Sequence, residues 1–228
     1  MSKTVVITGC NGQDGAWLAR HLIQQGNRVI GVVRRGSTDK LWRLRYLDIL
    51  DNDLFQIASG DVTDDASMEN ILSCRPYCIY NLAAQSHVNE SFKVPLSTAK
   101  INYIGVANLL EIILQKTPET KFYQASTSEM LGRENWDENI YMDEKTTFHP
   151  RSPYGVAKTA AHYLVQNYRE AYNIFACCGI LFNHESELRQ DTFVTAKICK
   201  AAAAIAIGQQ NKLELGNLEA KRDWGYAP

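Results

Sequence analysis

Lys3-Thr-Val-Val-Ile-Thr-Gly9-Cys-Asn-Gly12-Gln-Asp-Gly15-Ala-Trp-Leu18 passes from a β-branched run through three glycines into an apolar helical pattern. That order predicts a strand, a tight turn and a helix. Gly9 permits the turn, Gly12 lets the backbone approach a pyrophosphate at the helix N-terminus, and Gly15 allows helix and strand to pack closely. The spacing, G-x-x-G-x-x-G, differs from the usual G-x-G-x-x-G, and a glycine triplet alone also suits an ordinary turn. Its place between residues 4–8 and an amphipathic helix favours phosphate binding, with Asn11, Gln13 and Asp14 in the same turn.

Working outward, the next β-branched run, Arg28-Val-Ile-Gly-Val-Val33, ends in Arg34-Arg35-Gly36-Ser37. An acidic residue there would hold a ribose 2′-hydroxyl. Two guanidiniums and a hydroxyl suit a 2′-phosphate instead, so NADP is expected over NAD, the alternative being a solvated basic loop. Strand patterns recur near 54–58, 77–82, 120–125 and 174–181, and helical patterns near 14–25, 65–73, 97–116, 153–173 and 192–207. This alternation predicts an α/β fold, a doubly wound parallel sheet with ligands at the carboxyl ends of its strands.

Polar and small residues fall at those ends. Asp61, followed by Val62, comes after the third strand and suits an adenine amino group or a helix cap. Leu82, Ala83, Ala84, Gln85 and Ser86 follow the fourth, where small side chains let a cofactor lie against the backbone, and Ser126-Thr127-Ser128-Glu129 follows the fifth. Downstream, Tyr154 and Lys158 stand four residues apart in Ser-Pro-Tyr-Gly-Val-Ala-Lys. On a helix they share a face, so the ammonium favours ionisation of the phenol and makes it a usable base. Alone, Y-x-x-x-K is more often a surface pair; beside a dinucleotide site it reads as a redox centre.

With 228 residues the chain can bury a sizeable core. A net charge of −1 gives no reason to propose nucleic acid or membrane as partner, and no apolar run is long enough to span a bilayer. The six cysteines and five histidines have no zinc-ligand spacing, so no metal is expected and the thiols read as reduced groups of a cytoplasmic protein.

Several long motifs in order carry a family resemblance: Ala125-Ser-Thr-Ser-Glu129, Pro150-Arg-Ser-Pro-Tyr-Gly-Val-Ala-Lys158, Gly179-Ile-Leu-Phe-Asn-His-Glu-Ser186, Phe193-Val-Thr-Ala-Lys-Ile198 and Gly216-Asn-Leu-Glu-Ala-Lys-Arg-Asp-Trp-Gly225. Together they resemble the extended short-chain dehydrogenase/reductases, whose sheet is Rossmann-type, and within them the GDP-mannose 4,6-dehydratase branch. The resemblance implies dehydration of GDP-mannose to GDP-4-keto-6-deoxymannose by internal hydride transfer through NADP, with Thr127, Glu129, Tyr154 and Lys158 catalytic. It also implies cofactor contacts from His184 and Arg189, and substrate contacts from Ser86, Thr127, Ser128, Asn183, Lys197 and Arg222. A 4-epimerase of the superfamily needs no base such as Glu129, and a reductase consuming external NADPH would leave it without a task.

The resemblance further implies a homodimer or homotetramer, an NADP-binding domain over 1–182 and the start of a sugar-nucleotide lobe over 183–228. Relatives continue past Pro228, so this lobe is expected to be incomplete. The chain departs from the branch at Glu185-Ser-Glu-Leu-Arg189-Gln190, which replaces Glu-Ser-Pro-Arg-Arg-Gly, and at Ser97, Asn102 and Met130-Leu131. These differences keep a GDP-linked heptose open as substrate. A cofactor-binding fragment with little or no turnover is the alternative of a different class.

Overall fold

A computed structural model describes residues 2–36, 40–132 and 141–228. The chain divides into two compact units, Met1–Leu181 and Phe182–Pro228.

The first unit is built on six parallel strands: β1 (Thr4–Thr8), β2 (Arg28–Val33), β3 (Phe55–Ser59), β4 (Cys78–Asn81), β5 (Lys121–Thr127) and β6 (Ala176–Leu181). Their order, β3-β2-β1-β4-β5-β6, reverses direction at β1, which lies between β2 and β4. That reversal opens a crevice at the carboxyl ends of β1 and β4. The strands are Val- and Ile-rich because both faces of such a sheet are covered.

Helices α1 (Gln13–Gln24), α2 (Trp42–Tyr46), α3 (Asp65–Leu72), α4 (Val88–Lys93), α5 (Pro95–Ala99), α6 (Gly105–Lys116) and α7 (Pro153–Tyr172) connect them. On α6, Val106, Leu109, Leu110 and Ile113 recur at helical spacing and are all at most 1% exposed. They pack on Val6, Ile79 and Phe122 of the sheet and on Ala161 and Val165 of α7. Each such side chain contributes about 1.5–3 kcal/mol of burial. Helix α7 starts with Ser152 Oγ accepting from the Gly155 amide at 3.0 Å and Pro153 in the first turn, and ends on the left-handed Asn173. The thiol of Cys10 occupies the space above Gly31, where a Cβ would come within 2.7 Å of Sγ, and burial pushes it up to about 12.

The sequence expectations match this sheet strand by strand to within two residues. One helix departs from its expected form. The helix predicted near 97–116 begins at Pro95 and is broken by a π-helical turn over Lys100–Ile104. The cause is tertiary: buried Asn102 accepts from the Gln85 amide and donates to the Gln85 carbonyl, each at 2.9 Å, holding the loop after β4. The short helices α2 and α4 were not anticipated.

In the second unit, β7 (Asn183–Glu185) pairs in parallel with β8 (Trp224–Tyr226), and α8 (Val194–Ala206) lies between them in the chain. Among the described residues no helix is long and apolar enough to cross a membrane.

Candidate active site

The glycine turn is shaped by what its residues lack. Gly9 has φ +66°, and a Cβ on it would lie 2.9 Å from the Ala83 amide nitrogen. A Cβ on Gly15 would lie 2.5 Å from the Gly9 carbonyl oxygen, and the Gly12 amide donates to that same oxygen at 2.9 Å. Gly12 is also the N-cap of α1. Backbone amides and the positive end of a helix dipole therefore converge on a cradle that side chains would fill, which fits a pyrophosphate.

Thr8, Gly9, Asn11, Arg34, Asp61 and Ala83 line one cleft beside this turn, together with Val62 and Ala84. Asp61 does not cap α3, whose N-cap is Asp64. Instead its Oδ1 accepts from the Thr63 amide and hydroxyl at 2.9 and 2.8 Å, bending the chain so that residues 60–62 face the cleft. Gln85 also donates from its side chain to the His87 carbonyl, and Ser86 beside it is exposed. Gln13 donates to Asp14 at 3.0 Å within the first turn of α1. Arg35 is exposed, Leu82 is half-buried, and Ser37 lies outside the described residues.

Two basic residues here escaped the sequence reading. Lys40 lines the cleft and accepts through its carbonyl from the Asn11 side chain, and Arg43 donates to the Asn11 carbonyl at 3.2 Å. Their closeness to the turn is a through-space fact, and the only sequence signal was a basic run continuing past Arg35.

At the end of β5, Thr127 Oγ1 accepts from the Glu129 amide at 3.2 Å, capping the short 3-10 turn Ser128–Met130. This turn meets the start of α7 closely: a Cβ on Gly155 would lie 2.8 Å from the Glu129 carbonyl oxygen. The glycine next to Tyr154 thus brings the Glu129 turn against the Tyr154 helix. Tyr154 is 8% exposed and Lys158 3%. The Lys158 ammonium donates to the Ala125 carbonyl at 2.9 Å and lies 6.0 Å from the Tyr154 ring centre. Burial pushes it down to about 8, against a smaller upward pull from Cys178. Behind it, Ser126 Oγ and His162 Nδ1 are 3.0 Å apart, and His162 is held below its ordinary value by burial and by Arg169.

The model of the family described as GDP-mannose 4,6 dehydratase matches residues 6–228. The chain belongs to this family. It is 48% identical over 231 residues to a GDP-mannose 4,6-dehydratase of Sinorhizobium fredii, covering 99% of this chain and 65% of that protein. It is 46% identical over 233 residues to GDP-mannose 4,6 dehydratase 2 of Caenorhabditis elegans, covering 99% and 60%. The chain thus spans 60–65% of the length of these two curated relatives. The dTDP-glucose 4,6-dehydratase of Bacillus anthracis, solved with NAD, has the same fold, with a TM-score of 0.84, 22% identity and coverage of 99% of this chain and 68% of that one. Against the UDP-glucose 4-epimerase of Thermotoga maritima, solved with UDP-glucose, the TM-score is 0.83 at 26% identity, with coverage of 98% and 69%.

In the second unit the family-implied residues are engaged locally. Arg189 Nε lies 3.0 Å from Glu185 Oε2, with its guanidinium 3.8 Å from the centre of the Phe193 ring, and Thr195 donates to the same carboxylate. His184 Nδ1 is 2.7 Å from the Phe182 carbonyl, and Asn183 opens β7. Lys197 donates to the Glu214 carbonyl and Arg222 to the Lys221 carbonyl, each at 2.7 Å. Among the described residues no group of three or more His, Cys, Asp and Glu side chains is placed to hold a metal ion.

Proposed function

We propose that this chain carries the NADP site and catalytic groups of a GDP-mannose 4,6-dehydratase, a lyase that removes water from a GDP-linked hexose. The observation that carries the reading is the contact of Gly155 with the Glu129 carbonyl, which sets a carboxylate-bearing turn beside the buried Tyr154–Lys158 pair. NADP bound in the glycine cradle would supply a hydride acceptor and donor within one turnover. The turn built on Gly9, Gly12 and Gly15 would receive the pyrophosphate, with Gly12 the point of closest backbone approach, and Arg34, with Arg35 and Ser37, would hold the 2′-phosphate.

Tyr154 accepts the proton from the C4 hydroxyl of the hexose, and the Lys158 charge stabilises the resulting phenol–phenolate exchange. The C4 ketone acidifies C5, and Glu129 removes the C5 proton as general base. Hydroxide leaves from C6 as water with a proton delivered by Glu129, steadied by the Thr127 hydroxyl. Tyr154 returns the proton it took from the C4 hydroxyl to C5 as C6 is reduced, so net oxidation at C4 balances net reduction at C6 and no external oxidant is consumed. Asn183 serves the diphosphate, as do Lys197 and Arg222 once they exchange their local carbonyl partners for it. The same reading places the protein in the cytoplasm as a homodimer or homotetramer.

The test incubates the protein with NADP and GDP-mannose, with a GDP-heptose in parallel, and follows the sugar nucleotide by mass spectrometry. A product lighter by one water, lost in Glu129→Gln, is expected from GDP-mannose. The same product from the heptose alone moves the substrate assignment. NADP binding with no product from either sugar replaces the dehydratase reading with that of a cofactor-binding protein.

A further inference from the structure

Strand residues alternate between faces, and Val6, Ile79, Phe122 and Ala176 lie on the face packed by α6 and α7. Two residues further along, the same face carries Thr8, Asn81 and Gln124, paired in register across β1, β4 and β5, with Cys178 of β6 next in the row. All three polar side chains are at most 1% exposed. An apolar row gives way to a buried polar one at the carboxyl ends of the strands.

The row is a directed chain of donors. The Ala83 amide donates to Thr8 Oγ1 at 3.2 Å, Thr8 donates to Asn81 Oδ1 at 2.5 Å, and Asn81 Nδ2 donates to Gln124 Oε1 at 2.7 Å. Gln124 Nε2 then donates to the Ala125 carbonyl at 2.9 Å, the oxygen that also receives the Lys158 ammonium. The far end of the chain is Ala83, the residue against which Gly9 packs. A network needed only for stability could be replaced by apolar residues of like shape at little cost. This one terminates on the partner of a buried charge.

We propose that Thr8, Asn81 and Gln124 are positioning residues that hold the Ala125 carbonyl in place and share it with the Lys158 ammonium, linking the glycine turn to the lysine beside Tyr154. Every dipole in the row points its positive end at Ala125, so the row opposes the ammonium and keeps its hold on the carbonyl loose. The charge stays available to the Tyr154 phenol instead of being locked into the strand. Burial already lowers Lys158 to about 8, and the row acts in the same direction. On its own helix Lys158 has Tyr154 and His162 four residues away on either side, and Cys178 acts on it from β6. Carboxylates on helices packed against α7 have partners of their own, Glu90 in Lys93 and Glu111 in Tyr168.

The proposal rests on reading Tyr154 and Lys158 as a proton-transfer pair, and its test needs no substrate. In chain labelled with 13C-lysine, the Lys158 signal is assigned through Lys158→Met and titrated by NMR. Thr8→Val and Gln124→Met are each expected to raise its midpoint by about half a pH unit. Thr8→Ser, which keeps the hydroxyl, is expected to titrate as the unchanged chain does. A midpoint unmoved by Thr8→Val, two strands from the β5 carbonyl that holds the lysine, overturns the proposal, as does an equal displacement in Thr8→Ser. Should Gln124→Met fail to fold, Thr8→Val decides alone. Failure of the reading of Tyr154 and Lys158 as a proton-transfer pair shows separately, as dehydration that survives Lys158→Met.

Discussion

Lys158, in the unit ending at Leu181, is buried on a single backbone carbonyl, whereas Lys197, in the unit starting at Phe182, is exposed and rests on another. The helices that carry apolar faces differ in the same way. Helix α6 buries Leu109, Leu110, Ile112 and Ile113, while Val194, Ile205 and the Ile207 that follows α8 remain 44%, 39% and 69% exposed. In the first unit, charge is held against the fold's own stability by a surrounding core. In the second, it is held in local pairs that cost little and exchange easily. A perturbed proton is therefore available in the first unit, whereas the charges of the second are free to change partners.

The comparison breaks most readily at Tyr154. Tyr154→Phe is expected to lower kcat of the proposed dehydration by about 10³-fold with KM little changed, read by mass spectrometry of the product. An effect confined to KM would move the tyrosine from chemistry to binding. Lys158→Met comes next and should separate function from stability. Lys158 is depressed from 10.5 to about 8, so below pH 8 folded and unfolded chains both carry the proton and the folded one bears the full burial penalty. Between about 8 and 10.5 the unfolded chain binds more protons, and stability rises with pH. At pH 7 the variant should therefore be more stable by about 3 kcal/mol in denaturant melts, with the gain fading as pH climbs through that window.

Gly15→Ala puts a Cβ 2.5 Å from a backbone oxygen that cannot yield and should cost about 2–3 kcal/mol by denaturant melts, with NADP binding lost. The smallest effect is expected in the second unit. Glu185→Gln takes the charge from beside Arg189 but leaves an oxygen to accept from it and from Thr195, and should cost only about 1 kcal/mol of stability in the same melts. A loss as large as that of Gly15→Ala would show that the Glu185–Arg189 pair is structural and erase the contrast between the units.

What the sequence revealed follows the same division. The strands were legible because a sheet covered on both faces writes itself as continuous Val and Ile runs, and the glycine turn because each glycine answers a steric demand. Tyr154 and Lys158 could be paired from helical spacing alone. The π-helical turn was hidden, since Asn102 leaves helical geometry for a loop seventeen positions away, which no local pattern encodes. The approach of Lys40 and Arg43 to Asn11 was hidden for the same reason. Thr8, Asn81 and Gln124 were visible as polar residues where strand alternation calls for apolar ones, but their register across three strands exists only in the sheet. In the second unit, Asn183, Lys197 and Arg222 were named from resemblance, and the structure ties Lys197 and Arg222 to local carbonyls with no partner in common.

The thiol of Cys10, lodged above Gly31, offers a clock for the turn that surrounds it. An alkylating reagent attacks thiolates, and a thiol held near 12 and sealed from solvent presents almost none. Cys199, on the surface, is labelled first and sets the zero of time. Cys10 is labelled only when strand, turn and helix come apart, so its labelling rate counts openings of the dinucleotide cradle, and a ligand seated there slows the count in proportion to its grip.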